Sequence, residues 1–403
     1  LKISTNSKEK NNNKIFFGIK GKFFDGSNFS DEALKNGAEL AIVNKIDKVN
    51  KKKIKVKNTL SLLTEFSEKL RNSSNTCCVA ITGSSGKTSL KELLGQCLKQ
   101  KYSTVFSKKS YNNKFGLPIS LANLNKNTKY GIFEIGMDKK GEIDYLSKII
   151  KPEIGVITNI SYAHAKNFKS LIEIAKAKSE ILNNIQLNGT IVLNRDDKFF
   201  NFFYKLAKKK NLKIISFGNH KDSNVRIQKI VEKKNTSIFY IKLDYRIYKF
   251  KINNYLLPYS DNLLASVAVL KNLMIIDKVG TNFFFNYVIP KGRGNLKQII
   301  IGGKKINLLD ESYNSNPLSL KFTINKFNNL KINPNKKIML LGDMLELGKF
   351  SKKLHIEAAK EINKVKFKKL FVYGEYIVDT FNKIRTQKRG KILKSIDDIH
   401  NFI

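Results

Sequence analysis

Cysteine is scarce in this chain, with three residues among 403. Cys77 and Cys78 are adjacent, and Cys97 follows at no metal-binding spacing. That excludes a disulfide framework or a structural zinc site and predicts a reducing, cytoplasmic setting. Long apolar runs are missing as well. No stretch approaches the roughly 20 residues that span a bilayer, and the opening LKISTNSKEK has no signal-peptide core. A soluble protein without a membrane span is expected. Acidic residues number 33 against 75 basic ones, a net charge of +42, yet only seven of the basic residues are arginine. The lysines run from end to end among Asn and Ile, which is a composition bias. A basic stripe with arginine and aromatics placed to read or stack bases is absent, so no specific nucleic-acid partner is expected. Charge alone still favours polyanionic substrates such as nucleotides.

The chain is long enough for two or three domains, and 41% of its residues are hydrophobic. Residues 1–75 carry the short strand-like pieces KIFFGIK and AELAIVN around one helical stretch, SDEALKNG, with Ser30 as N-cap and Gly37 as C-cap. From 76 to 290, CCVAI, YGIFEIG, EIGVITNI and TIVLN are each followed by helical periodicity. That alternation predicts a mainly parallel sheet covered by helices. Residues 223–252 interrupt it as an antiparallel excursion. From 291 to 403, KINLLDE, KIMLLGD and KLFVYGE alternate with helical stretches, as in a second doubly wound unit. The fold class expected is therefore α/β in three domains: a small N-terminal α/β unit, a central P-loop-type ATPase domain and a C-terminal Rossmann-like domain.

AITGSSGKTSLKELLGQCL, residues 80–98, reads as a strand, a glycine turn and a helix whose Leu90, Leu93, Leu94, Cys97 and Leu98 share one face. Backbone N–H groups and the helix dipole at such a turn hold phosphate. Gly83 and Gly86 permit the turn around Ser84 and Ser85, Lys87 reaches the outer phosphates, and Thr88, followed by Ser89, offers a hydroxyl to magnesium. The common P-loop requires glycine at position 81, where this chain has Ile81. The shorter Thr-Gly-x-x-Gly-Lys-Thr form points away from GTPases and transport ATPases.

At this loop and along most of the chain the sequence resembles the Mur ligases, the ATP-dependent amino acid ligases of peptidoglycan synthesis. The resemblance runs through TGSSGKTSLKELL, YNNKFGLPISL, FEIGMDKKGEIDYLSKIIKPEIGVITNISYAHAKNF, IAKAKSEIL, GRGN, DESYNSNP and LGDMLELG in that order. The last two motifs favour the branch that joins D-alanyl-D-alanine to UDP-N-acetylmuramoyl-tripeptide through an acyl phosphate. Another ligase of this family or of the folylpolyglutamate type is the nearer alternative, and a basic nucleic-acid-associated ATPase the more distant one.

The resemblance implies ATP and magnesium as cofactors and a set of site residues. Lys87, Glu134, His164 and Lys178 would be catalytic, with Thr88, Glu134, His164 and Lys178 around metal. Lys178 stands where several members carry a carbamylated lysine, and a plain solvated helix lysine is the alternative. Asn262 matches an adenine contact, although Asp261 stands where histidine is usual. Arg293 and Asp310 would complete the ATP site on domain closure. Ser7, Asn112, Asn113, Tyr313, Asn314 and Asn316, with Pro317, would bind substrate. In the first domain Asn6-Ser7-Lys8 replaces the usual Asp-Ser-Arg, and Lys114 replaces a usual glutamate. The chain stops at DDIHNFI, where the resemblance leads one to expect further strands. A monomer is expected.

Overall fold

The computed structural model describes residues 2–21, 23–47, 50–301, 303–395 and 397–398. Strands Lys2–Ser4, Lys14–Phe17, Leu40–Val43 and Lys53–Lys55 form a four-stranded parallel sheet in chain order. Successive strand residues face opposite sides. Phe17 accordingly packs with Ile3 and Ile42 on Leu63, and Phe16 with Ala33 and Val43 on the other face. Two local expectations fail here. The helix Ser30–Lys35 is led in by a 3-10 turn, Gly26–Phe29, that Asp25 caps by accepting from Ser27 N at 3.0 Å, so Ser30 lies inside the helix and is not its cap. A second helix, Thr59–Asn72, follows where only one was expected. Asn58 caps it by accepting from Ser61 N at 3.0 Å.

Arg71, in the last turn of that helix, is buried and ties this part of the chain to the next. It donates to the Ile150 and Lys151 carbonyls at 2.6 and 2.8 Å and to Glu153 Oε1 at 2.7 Å.

The central sheet has nine strands. Its order runs Thr104–Phe106, Tyr130–Glu134, Cys77–Thr82, Ile154–Ile157, Thr190–Asn194 and Lys213–Phe217, all parallel, then Val225–Glu232, Thr236–Leu243 and Arg246–Asn253. The last three pair antiparallel with one another, as the break at 223–252 predicts. They join the parallel part of the sheet through the pair Phe217 and Val225. Cys77–Thr82 lies between two neighbours and is buried from Cys78 onward, because helices cover both faces. Helix Lys87–Lys99 packs Leu90 and Leu94 against helix Ser260–Asn272 on one face. Ile143, Leu146 and Ile174 fill the other.

Beyond residue 290 the strand expected at KINLLDE, Lys304–Asp310, pairs antiparallel with Asn295–Ile301 in a separate hairpin. Ile338–Gly342, Lys369–Tyr373 and Arg389–Ile392 form a three-stranded parallel sheet. Helices Pro317–Asn328 and Ser351–Lys364 pack Leu320, Ile324, Leu354 and Ile362 into the core beside it.

Candidate active site

The glycine turn after Cys77–Thr82 is held in place from a neighbouring strand end. Gly83 has φ +143°, and a Cβ there would sit 1.9 Å from Thr158 Oγ1, so only glycine fits. Thr158 Oγ1 donates to the Ser85 carbonyl at 2.6 Å. Ser84 N donates to the Asn159 carbonyl and Ser85 N to Asn159 Oδ1, both at 2.9 Å. The Ser84 and Ser85 amides are therefore engaged, and the N–H groups left for an anion are those at the helix's start, from Gly86 to Ser89.

At the mouth of the turn, charge is concentrated and buried. Thr88 Oγ1 donates to Glu134 Oε2 at 2.7 Å, and Asn112 Nδ2 donates to Glu134 Oε1 at 2.8 Å. Glu134 ends its strand with 1% exposure. Lys87 and Lys178 both donate to the Gly83 carbonyl, at 2.9 and 3.0 Å. Burial pushes the Lys87 ammonium down from its ordinary range, and Glu134 opposes the shift. Lys178 is pushed well down by burial first and by Lys87 second. Two clustered cations facing a carbonyl suit an oxyanion. A hydroxyl beside a carboxylate offers the hard oxygen donors that a magnesium ion takes, so the residues fit both groups.

His164 reaches this region from the next loop, with φ +56°. Its Nδ1 lies 2.5 Å from Glu346 Oε2 and 3.2 Å from Asp138 Oδ1 and makes no hydrogen bond of ordinary geometry. Burial, then Lys87, holds the imidazole below its usual range. The imidazole thus faces two carboxylates.

The remaining expected residues divide. Asn262 stands over the turn, 3.0 Å from where a Gly86 Cβ would be. The Asp261 carboxyl beside it is raised by desolvation, then by Asp196, although the residue is exposed. The Asn316 amide donates to Ser85 Oγ at 2.9 Å while its oxygen caps helix Pro317–Asn328. Tyr313 OH donates to Ser110 Oγ at 2.7 Å, and the Arg293 guanidinium stacks 4.2 Å from the Tyr313 ring. Ser110 also lines, with Thr5, Tyr111 and Asn113, a cleft of about 420 Å³ against the N-terminal sheet. Other residues are not brought in. Asn314 is exposed. Asp310 pairs with Lys297 at 3.1 Å and accepts from Ser312, which holds its carboxyl low. Ser7 donates to Glu32 at 2.5 Å within its own sheet unit. Asn113, which lines that cleft, accepts from Phe115 N and Gly116 N at 3.1 and 3.0 Å with its side-chain oxygen, ahead of helix Gly116–Leu121.

Sequence reasoning missed Ser110, Thr158, Asn159, Asp138 and Glu346. Glu346 lies in LGDMLELG, a motif that signalled the resemblance without a role for this residue.

Residues 81–270 match the Mur ligase middle domain. The UDP-N-acetylmuramoyl-tripeptide–D-alanyl-D-alanine ligase of Buchnera aphidicola subsp. Acyrthosiphon pisum is 32% identical over 95% of this chain and 84% of its own. MurF from Acinetobacter baumannii superposes with a TM-score of 0.82 at 26% identity, covering 100% of this chain and 86% of its own. MurF from Thermotoga maritima, solved in complex with ADP, shares the fold at a TM-score of 0.76 and 24% identity, covering 99% and 95%. The chain belongs to the Mur ligase family, in its UDP-N-acetylmuramoyl-tripeptide–D-alanyl-D-alanine ligase branch.

Proposed function

We propose that this chain joins D-alanyl-D-alanine to UDP-N-acetylmuramoyl-tripeptide at the expense of ATP. A carboxylate does not condense with an amine in water until one of its oxygens becomes a good leaving group. The tripeptide carboxylate therefore takes the γ-phosphoryl group of ATP, releasing ADP. The dipeptide amine then attacks the acyl carbon, loses a proton and expels phosphate. Positioning and charge neutralisation supply most of the acceleration in such transfers.

The observation that carries this reading is the pair of buried ammonium groups on the Gly83 carbonyl, next to Thr88 and Glu134. Lys87 stabilises charge on the transferring group, and the amides of the helix's first turn hold phosphate oxygens. Thr88 and Glu134 would hold magnesium; bound there, the metal supplies charge neutralisation at the phosphates. His164, a metal ligand by the family resemblance, faces Asp138 and Glu346 in this structure and would turn from them to join it. Asn262 lies beside the turn for the adenine end, and Arg293, Tyr313 and Asn316 approach from the C-terminal side. Carbamylation of Lys178 is part of the proposal, supported by its buried amine. The division at 75/76 and 290/291 is likewise proposed, supported by the separate sheets. Among the described residues no helix is long and apolar enough to cross a membrane, and the cysteines are free. Both facts support a cytoplasmic site of action.

The test is ADP release with purified protein. ADP and phosphate are expected only when the UDP-linked tripeptide and D-alanyl-D-alanine are both present. Stimulation by glutamate or diaminopimelate in place of the dipeptide would overturn the assignment.

A further inference from the structure

Lys91 stands one turn beyond Lys87 on the helix that follows the phosphate turn, and its side chain is completely buried. An ammonium group has three N–H bonds. Each has an acceptor here: Glu92 Oε1 at 2.7 Å, the Ser107 carbonyl at 2.6 Å and the Lys109 carbonyl at 2.7 Å. A buried cation is costly unless it is paired and fully hydrogen-bonded, and this one is both.

The reaction described above makes no use of this group. Its two carbonyl partners flank Lys108 and lie immediately before Ser110, with Lys109 held at φ +48°. Ser110 Oγ meets Tyr313 OH at 2.7 Å and Arg293 Nη2 at 3.4 Å, and Ser110 borders the cleft against the N-terminal sheet. Asn112, two residues further on, holds Glu134. One short segment thus touches all three parts of the molecule, and its backbone is fastened to the helix that begins at the phosphates.

We infer that Lys91 is a positioning residue: by holding the 107–109 backbone to the phosphate-turn helix, it sets Ser110 and Asn112 where the nucleotide-linked acid, the transferring phosphate and the C-terminal unit converge. The substrate named here rests on the proposed function. No other side chain does the same work. The planar fork of arginine does not reproduce a compact three-way donor. Methionine matches the length but leaves two buried carbonyls without this donor, and Glu92 with Gln96 Nε2 at 3.2 Å but no ammonium partner.

The experiment compares the wild type with Lys91→Met. Hydrogen exchange at residues 107–113 is expected to rise about tenfold or more while the strand 77–82 stays within about twofold. The KM for the UDP-linked tripeptide is expected to rise about tenfold, with ADP affinity changed less than about twofold. In a Ser110→Ala background the KM effect of Lys91→Met should shrink, since the two residues act through one segment. Unchanged exchange at 107–113, a parallel loss of ADP affinity, or full additivity with Ser110→Ala would overturn the inference. If Lys91→Met does not fold, Lys91→Gln, whose amide keeps two N–H donors but no charge, is read by the same criteria. A wild type that fails to turn over the tripeptide would defeat the functional assignment instead, and the exchange measurement would still decide whether Lys91 holds the segment.

Discussion

Lys87 and Lys178 share one acceptor, the Gly83 carbonyl, although 91 positions separate them along the chain. Two ammonium groups held this close in a buried site repel each other, and burial lowers the proton affinity of both. The free protein is destabilised by this arrangement, and a bound polyphosphate offsets it.

The sign of one mutation follows. Lys87→Ala should lower turnover by about 10²–10³-fold, the scale of losing one transition-state charge partner. Its melting temperature should not fall, because Lys178 still serves the Gly83 carbonyl and the repulsion is gone. Steady-state ADP release and a thermal melt on the same preparation check both halves.

Lys178 is buried to 1% exposure, with its amine pushed toward the neutral form that captures carbon dioxide. The amine would lose a proton and gain a carboxylate, becoming an anionic oxygen ligand. Lys178→Ala is expected to lose most activity, to recover part of it with a short added carboxylate, and the wild type to depend on bicarbonate. Full activity in the alanine variant would reduce Lys178 to a structural lysine.

Asn316 does two jobs that substitution can separate. Its oxygen caps helix Pro317–Asn328, and its amide donates to Ser85 Oγ. Asn316→Ala removes both and should cost about 1 kcal/mol of stability from the lost cap. Asn316→Asp keeps the cap but places a carboxylate beside the phosphate turn. It should melt like the wild type while its KM for ATP rises, and an unchanged KM would detach Asn316 from the nucleotide.

Lys326 sits in the junction between the central and C-terminal parts, donating to the Gly294 carbonyl at 2.6 Å. Burial lowers its pKa to about 8, with Glu311 opposing the shift. An unfolded lysine titrates near 10.4, so between about pH 8 and 10.4 the unfolded state binds more protons and stability rises with pH. Lys326→Met lacks that rise. Paired denaturation curves at pH 7.5 and 10.5 should show the stability difference moving toward the wild type at the higher pH.

Much of the site was legible because it is local. Gly83, Gly86, Lys87 and Thr88 lie within six consecutive positions, and the turn conformation, helix start and hydroxyl follow from residue type there. Glu134 was legible as the polar end of an otherwise apolar strand. The antiparallel break near residue 223 also showed in the local pattern. Helix Thr59–Asn72 was missed even though Asn58 caps it, because its apolar face is narrow and its partners lie on a different segment. The hairpin at Lys304–Asp310 resembled another parallel strand, since strand-forming residues do not specify which strand they join.

Composition and local pattern by themselves determined the α/β class, the phosphate turn and the family resemblance, because each depends on residues close in sequence. Tertiary structure alone decided that Lys91 matters. It looks like any other in a lysine-rich chain, and the burial of Lys91 and of Lys178, which the resemblance had already singled out, against carbonyls supplied by other segments is visible only in the fold. The junctions at Ser85 with Asn316 and Ser110 with Tyr313 join positions 231 and 203 residues apart. Desolvation and long-range contact are properties of packing, and no stretch of sequence contains them.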